Sequence, residues 1–148
     1  MKAFSLDSDA LSYFLGYTLL HYDRPAIVSA WMSDVEVKLP VNNRFDERQY
    51  RLSELIPKLD TEPTVVVNST EAHNDYIVSR VKNHAEVLGV DDLHAKAIIS
   101  DEALYAGSAN ITKRGFGVNR ELCKIIENEY HSTTKYLKKE LGISRREL

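Results

Sequence analysis

Residues 93–122 read LHAKAIISDEALYAGSANITKRGFGVNREL, and this stretch decides the fold. Leu93 to Ser100 is a run of small and branched apolar residues, interrupted only by His94 and Lys96, and predicts a strand. Asp101 and Glu102 mark a turn, and Ala103 to Ala106 returns as the hairpin partner. After a loop around Gly115 and Gly117, Arg120 to Ile126 supplies a further strand. Residues two apart in a strand leave the same face, so His94 and Lys96 project together while Ala95 and Ala97 turn away. An imidazole and an ammonium are costly to bury without a partner, and an anionic substrate would be such a partner. Ser108 and Asn110 are again two apart and follow Gly107, which lets the backbone approach closely. Asn119 and Glu121 repeat the spacing on the next strand. Together these residues supply a nucleophile, a cation, neutral donors and a carboxylate.

Working outward, two more apolar runs predict buried strands: Ala26 to Met32 (AIVSAWM) and Thr64 to Val67 (TVVV). Helical spacing appears over residues 8–22 through Leu11, Phe14, Leu15, Thr18, Leu19 and Tyr22. It recurs over 46–59 through Leu52, Leu55, Ile56 and Leu59, and over 71–88 through Ile77, Val81, Ala85 and Leu88, with Gly89 as the stop. Residues 127–141 predict a polar closing helix. Helices alternating with buried strands indicate an α/β fold, a mixed β-sheet flanked by helices, in one domain over residues 1–148. The tail, residues 144–148, is expected to fray. Trp31 and Tyr105 read as core residues. Ser69 and Thr70 read as a helix N-cap in preference to a phosphate site.

Composition narrows the function. The net charge of −3 and pI near 5.9 argue against a protein that coats nucleic acid through bulk charge, though not against a local basic patch. The single cysteine, Cys123, permits no intrachain disulfide, reads as core, and fits the cytoplasm. The apolar run Leu11 to Leu20 is too short to span a bilayer, and acidic residues precede it where a signal peptide would be basic, so it reads as a helix of the fold. His73, His84 and His131 lack ligand spacing, so no metal or other cofactor is expected.

The order His94, Lys96, Asp101, Gly107, Ser108, Asn110, Asn119, Glu121 resembles the motif of the phospholipase D superfamily, and SAWMSDVEV over residues 29–37 is similar to the first strand of that domain. Two departures stand out. The spacing from Asp101 to Gly107 is one residue tighter than the commonest form, and Thr112 stands where many members have a second Asn. The resemblance implies the phospholipase D/nuclease-like fold and a metal-independent phosphodiesterase. His94 would be the nucleophile, forming a phosphohistidine. Lys96 and Asn110 would hold the non-bridging oxygens, and Ser108 would support the phosphate or orient His94. Glu121 would fix the imidazole tautomer, and Asp101 would be structural. The mechanism needs two motif histidines and the chain has one motif, so the resemblance implies a homodimer with a shared active site.

The short members of that superfamily point to a nuclease, with DNA ahead of RNA as substrate. Lys113 and Arg114, directly after the motif loop, and Asn119 are the candidates for substrate contacts. Arg44, Arg48 and Arg51 form a second candidate patch. Two alternatives stay open: a phospholipid-type phosphodiesterase or transferase, for which no membrane association is expected here, and a non-catalytic nucleic-acid-binding subunit.

Overall fold

The computed structural model describes residues 3–6, 8–118 and 122–147. The strands among the described residues are β1 (Ala3–Leu6), β2 (Ala26–Ser29), β3 (Glu36–Lys38), β4 (Gln49–Arg51), β5 (Thr64–Asn68), β6 (Glu86–Val90), β7 (Lys96–Ile99), β8 (Ala103–Gly107) and β9 (Cys123–Glu127). The α-helices are α1 (Ser8–His21), α2 (Leu52–Leu55), α3 (Asp75–Val81) and α4 (Thr133–Leu141). Seven strands make one mixed sheet in the order β1-β9-β8-β7-β2-β5-β6, and β3 and β4 form a separate hairpin. Strand β2 is the turning point: it runs parallel to β5 and antiparallel to β7.

Side-chain alternation divides the core between the two faces of the sheet. On one face Ile27, Val65, Val67, Ile98, Tyr105 and Ile125 pack with Leu11, Leu15 and Leu19 of α1, Leu52 and Leu55 of α2, and Ile77 and Val81 of α3. On the other, Ala26, Val28, Val66, Ala97, Ile99 and Leu104 pack with Leu137 of α4 and with Ile143. Both faces are covered, which is why β2 and β5 are buried along their whole length and read as unbroken apolar runs.

Several expectations needed correction. The helix expected over residues 46–59 begins only at Leu52, because Gln49 to Arg51 pair with β3, and Tyr50 lies opposite Val37. Pro57 then sits inside a short 3-10 turn, Ile56–Lys58. The helix expected over 71–88 ends at Val81, and Glu86–Val90 is an edge strand paired parallel with β5. Gly89 therefore lies in a strand, opposite Val67, and is no helix stop. Strand pairing to a central neighbour outweighs the helical spacing that Ala85 and Leu88 continued by coincidence. Residues 128–132 form a turn before α4, and β1, not anticipated, pairs with β9 as the other edge. The tail expected to fray is tied down: Arg145 Nη1 donates to Arg24 O (2.6 Å) and Thr64 Oγ1 (3.0 Å), and Arg146 N donates to Glu86 Oε2 (2.8 Å). Among the described residues, no helix is long and apolar enough to cross a membrane.

Candidate active site at the end of the sheet

The sequence motif converges where β2 and β8 end and β7 begins. Strand β7 starts at Lys96, so His94 lies in the approach to the strand and not within it, as the alternation argument had assumed. His94 is exposed and Lys96 half-buried. The two are joined locally, since Lys96 Nζ donates to the His94 carbonyl at 2.9 Å. Lys96 is the register partner of Ser29 on β2, and antiparallel partners share a face.

Ser29 is the hub. It is fully buried, its one hydroxyl proton is shared between Trp31 O and Asn110 Oδ1 (3.1 Å), and its Oγ accepts from Ile111 N (3.0 Å). Trp31 N also donates to Asn110 Oδ1 (3.3 Å). A backbone N–H can only donate, so the Asn110 atom facing it is the carbonyl oxygen. That fixes the amide orientation. The Asn110 NH2 group has no protein acceptor among the described residues, and the amide oxygen bonds Ser29, the register partner of Lys96. Lys96 and Asn110 are thus linked through Ser29, by strand register on one side and a hydrogen bond on the other.

The motif loop is held by close backbone approaches. A Cβ on Gly107 would meet Leu122 O at 2.1 Å, and a Cβ on Gly115 would meet Asn110 O at 2.1 Å. Both positions require glycine for clearance. Ser108 extends the ladder beyond β8: its N donates to Leu122 O (3.0 Å), and its Oγ accepts from Leu122 N (2.9 Å). The Tyr105 hydroxyl, buried below, donates to Ala109 O (2.9 Å) and accepts from Ala109 N (2.8 Å). Gly115 N donates to Thr112 Oγ1 (3.1 Å), so the threonine at this position caps the turn after the motif.

Two buried asparagines that sequence reasoning passed over tie the surrounding loops together. Asn74 Oδ1 accepts from Met32 N (2.8 Å), and its Nδ2 donates to Ala30 O (2.8 Å) and Asn68 O (3.1 Å). Asn68 Nδ2 donates to Leu93 O (3.2 Å), one residue before His94. The signal was present: Ser29 and Asn68 are the polar residues that end two largely apolar strands, AIVS and TVVVN. A polar group placed in a buried strand needs partners and so marks a place where loops are organised.

Trp31 is not a core residue. It is 46% exposed and stacks on His73, with ring centroids 5.1 Å apart at 30°. Ser69 and Thr70 cap no helix; Ser69 Oγ donates to Asp91, and Thr70 N and Oγ1 bond Asn68 Oδ1 (2.9 and 2.7 Å). Asp101 lies at the opposite end of the sheet, where its Oδ1 accepts from Thr133 N (2.7 Å) and Thr133 Oγ1 (2.9 Å). Lys113 lines a cleft of about 410 Å3 with Lys38, Arg51 and Phe116, while Arg114 is exposed. Arg44 is paired with Asp60 at 2.9 Å on the surface. Asn119 and Glu121 lie outside the described residues.

Residues 10–142 match the family model described as cardiolipin synthase, PLD-like domain. The chain belongs to the phospholipase D-like family. The fold of this phospholipase D-like chain is similar to the crystal structure of a phospholipase D family member, Nuc from Salmonella typhimurium (TM-score 0.61, 14% identity, 93% of this chain and 88% of that one). It is equally similar to NucT from Helicobacter pylori (TM-score 0.60, 15% identity, 95% and 94% covered). TrmBL2, an archaeal chromatin protein whose structure is described as showing a novel mode of DNA binding, aligns at TM-score 0.52 and 9% identity, the match covering 94% of this chain and 50% of that one. A search of curated protein sequences finds no significant match.

Proposed function

We propose that this chain is a metal-independent phosphodiesterase, a nuclease that cleaves nucleic acid through a phosphohistidine intermediate, with DNA its substrate ahead of RNA. The observation that carries the reading is the fixed Asn110 amide, its oxygen committed to Trp31 N and to Ser29, the register partner of Lys96, and its NH2 without a protein acceptor among the described residues. In the proposed reaction an imidazole nitrogen of one His94 attacks phosphorus, forming an N–P bond as the P–O bond to the leaving group breaks. The imidazolium of a second His94, from another copy of the chain, gives its proton to the leaving oxygen. That second imidazole, now neutral, then takes a proton from the water that attacks phosphorus, and His94 is released. Lys96 and Asn110 hold the non-bridging oxygens throughout, where preorganised donors cost no reorganisation as charge builds. Ser108 supports the loop that delivers Asn110, and Glu121 sets the His94 tautomer. Lys113, Arg114 and Asn119 contact flanking phosphates or sugars.

The need for two motif histidines puts the active site on a two-fold axis between two copies. With a net charge of −3, affinity for nucleic acid is expected to be modest and to fall steeply with salt. The test is to incubate wild type and His94→Ala with single- and double-stranded DNA in excess EDTA and to record mass by light scattering. Cleavage by a wild-type dimer alone is expected. Absence of cleavage, or equal cleavage by both proteins, would sink the proposal.

A further inference from the structure

Between two buried residues, Ala30 and Met32, the chain places its only tryptophan with 46% of its surface in solvent. Leaving a large indole half-exposed forgoes part of its burial free energy, and this ring sits on a segment bonded to a motif residue. The backbone around it is pinned from both sides. Ala30 O accepts from Asn74 Nδ2, and Met32 N donates to Asn74 Oδ1, both at 2.8 Å. Met32 also bridges to Ile111 in the motif loop. Trp31 N itself bonds the Oδ1 of Asn110, the residue read as holding the phosphate.

The ring is also supported from behind. His73 stacks on it at 5.1 Å and 30°, and His73 Nε2 shares a hydrogen bond of 2.9 Å with Ser33 Oγ, two residues along the same segment. Tyr13, Tyr17 and Tyr76 are also exposed, but among the described residues none of them bonds a motif residue in this way. The indole is thus a flat, apolar surface backed by His73, on a segment whose backbone bonds the Asn110 amide.

We infer that Trp31 is a stacking platform for an unpaired nucleobase next to the phosphate under attack, which makes single-stranded nucleic acid the preferred substrate. This rests on the nuclease reading above. A base in a duplex has both faces occupied by its neighbours and cannot lie on the indole without being unstacked, whereas a single strand offers every base to an aromatic ring. The preference would be tolerant of sequence, since every base has a π-face. His73 acts as the positioning residue that holds the ring in place.

Because Trp31 is the only tryptophan, intrinsic fluorescence reports this ring alone. The experiment uses the full-length His94→Ala protein, which binds without turnover, titrated with a short single-stranded oligonucleotide, the same strand with abasic sites, the corresponding duplex, and anionic phosphatidylglycerol vesicles. Quenching by the base-bearing single strand, and much less by the other three, is expected. Adding Trp31→Ala should weaken binding of that strand roughly ten- to hundredfold while leaving the abasic strand unaffected, and Trp31→Phe should restore most of the loss. Oligonucleotide bound or cleaved with unmoved emission, or with equal affinity for abasic and base-bearing strands, would overturn the platform and leave the phosphodiesterase reading standing. Equal quenching by duplex would overturn the single-strand preference. Failure of wild type to bind or cut any oligonucleotide would remove the nuclease reading itself, and emission that responds only to vesicles would place a lipid on the ring instead.

Discussion

Two asparagines at opposite ends of the sheet make a useful pair. Asn128, where β7 and β9 finish, is fully buried and fully bonded: its Nδ2 donates to Ser100 O (2.9 Å) and Ser132 O (3.3 Å), and its Oδ1 accepts from Tyr130 N (3.1 Å). Asn110, at the end where β8 finishes, has its oxygen equally committed but its NH2 without a protein acceptor among the described residues. Their neighbours follow suit. Around Asn128, Asp101 closes on Thr133, and Arg145 reaches Arg24, Thr64 and Thr134. Around Asn110, an exposed His94 and a half-buried Lys96 have donors to offer. One end uses its polar groups to close the fold; in the proposed reaction the other offers some to the phosphate.

The contrast can be broken in order of expected effect. His94→Ala should reduce phosphodiester cleavage by more than about 10⁴-fold, since nucleophile and general acid are lost together, and leave the melting curve unmoved because the side chain is exposed. A clear drop in stability in a calorimetric scan would contradict the assignment of this end to chemistry. Lys96→Met and Asn110→Ala should each lower kcat by about 10² to 10³, the usual worth of one charge-stabilising donor, in steady-state assays of correctly folded protein.

Asn128→Ala should do the reverse. It strands the Ser100 and Ser132 carbonyls and the Tyr130 N–H, and should cost about 1 to 3 kcal/mol in urea unfolding with turnover per folded molecule intact. Ser29→Ala sharpens the comparison because Ser29 belongs to both categories, buried like Asn128 yet bonded to Asn110. A loss of about 1 kcal/mol is expected together with a several-fold fall in kcat. A fall in stability alone would show that Asn110 is oriented without it.

The smallest effect concerns alkali. Burial, and then the hydrogen bond to Glu102, push the Tyr22 hydroxyl up to about 12 from an ordinary value of 10.0. The folded state therefore holds this proton more tightly, so the stabilisation is fully present below pH 10 and is lost as pH rises through about 12. Tyr22→Phe should flatten the decline in urea midpoint over that window.

Much of this was legible in the chain. The apolar strands Ala26 to Ser29 and Thr64 to Asn68 stood out because a strand buried on both faces has no polar alternation to confuse. The motif glycines, Ser108 and Asn110 were visible through their spacing. What misled was periodicity at the edges. Glu86 to Val90 continues a helical rhythm in sequence, and its strand pairing with β5 depends on a neighbour more than fifteen residues away. His94 looked like a strand residue because Leu93 and Ala95 are apolar, yet Asn68 holds Leu93 O outside the ladder. Ser29, Asn74 and Trp31 were missed as site residues because their partners come from distant segments that local patterns do not connect.

The turning point at β2 also bears on how the molecule comes together. β7 and β8 form a tight hairpin, a unit that closes in roughly 1 to 10 μs, and β9 pairs antiparallel with β8 across the motif loop. β2, β5 and β6 are parallel and require crossovers through long intervening segments, which is slow. Lys96 and Asn110 come from the fast half, and Ser29, which orients Asn110, comes from the slow one. A refolding chain can therefore regain most of its hairpin signal while the phosphate site is still unmade. Returning activity would time the docking of the two halves, and a chain arrested before that event would be compact, hydrogen-bonded and inert toward its substrate.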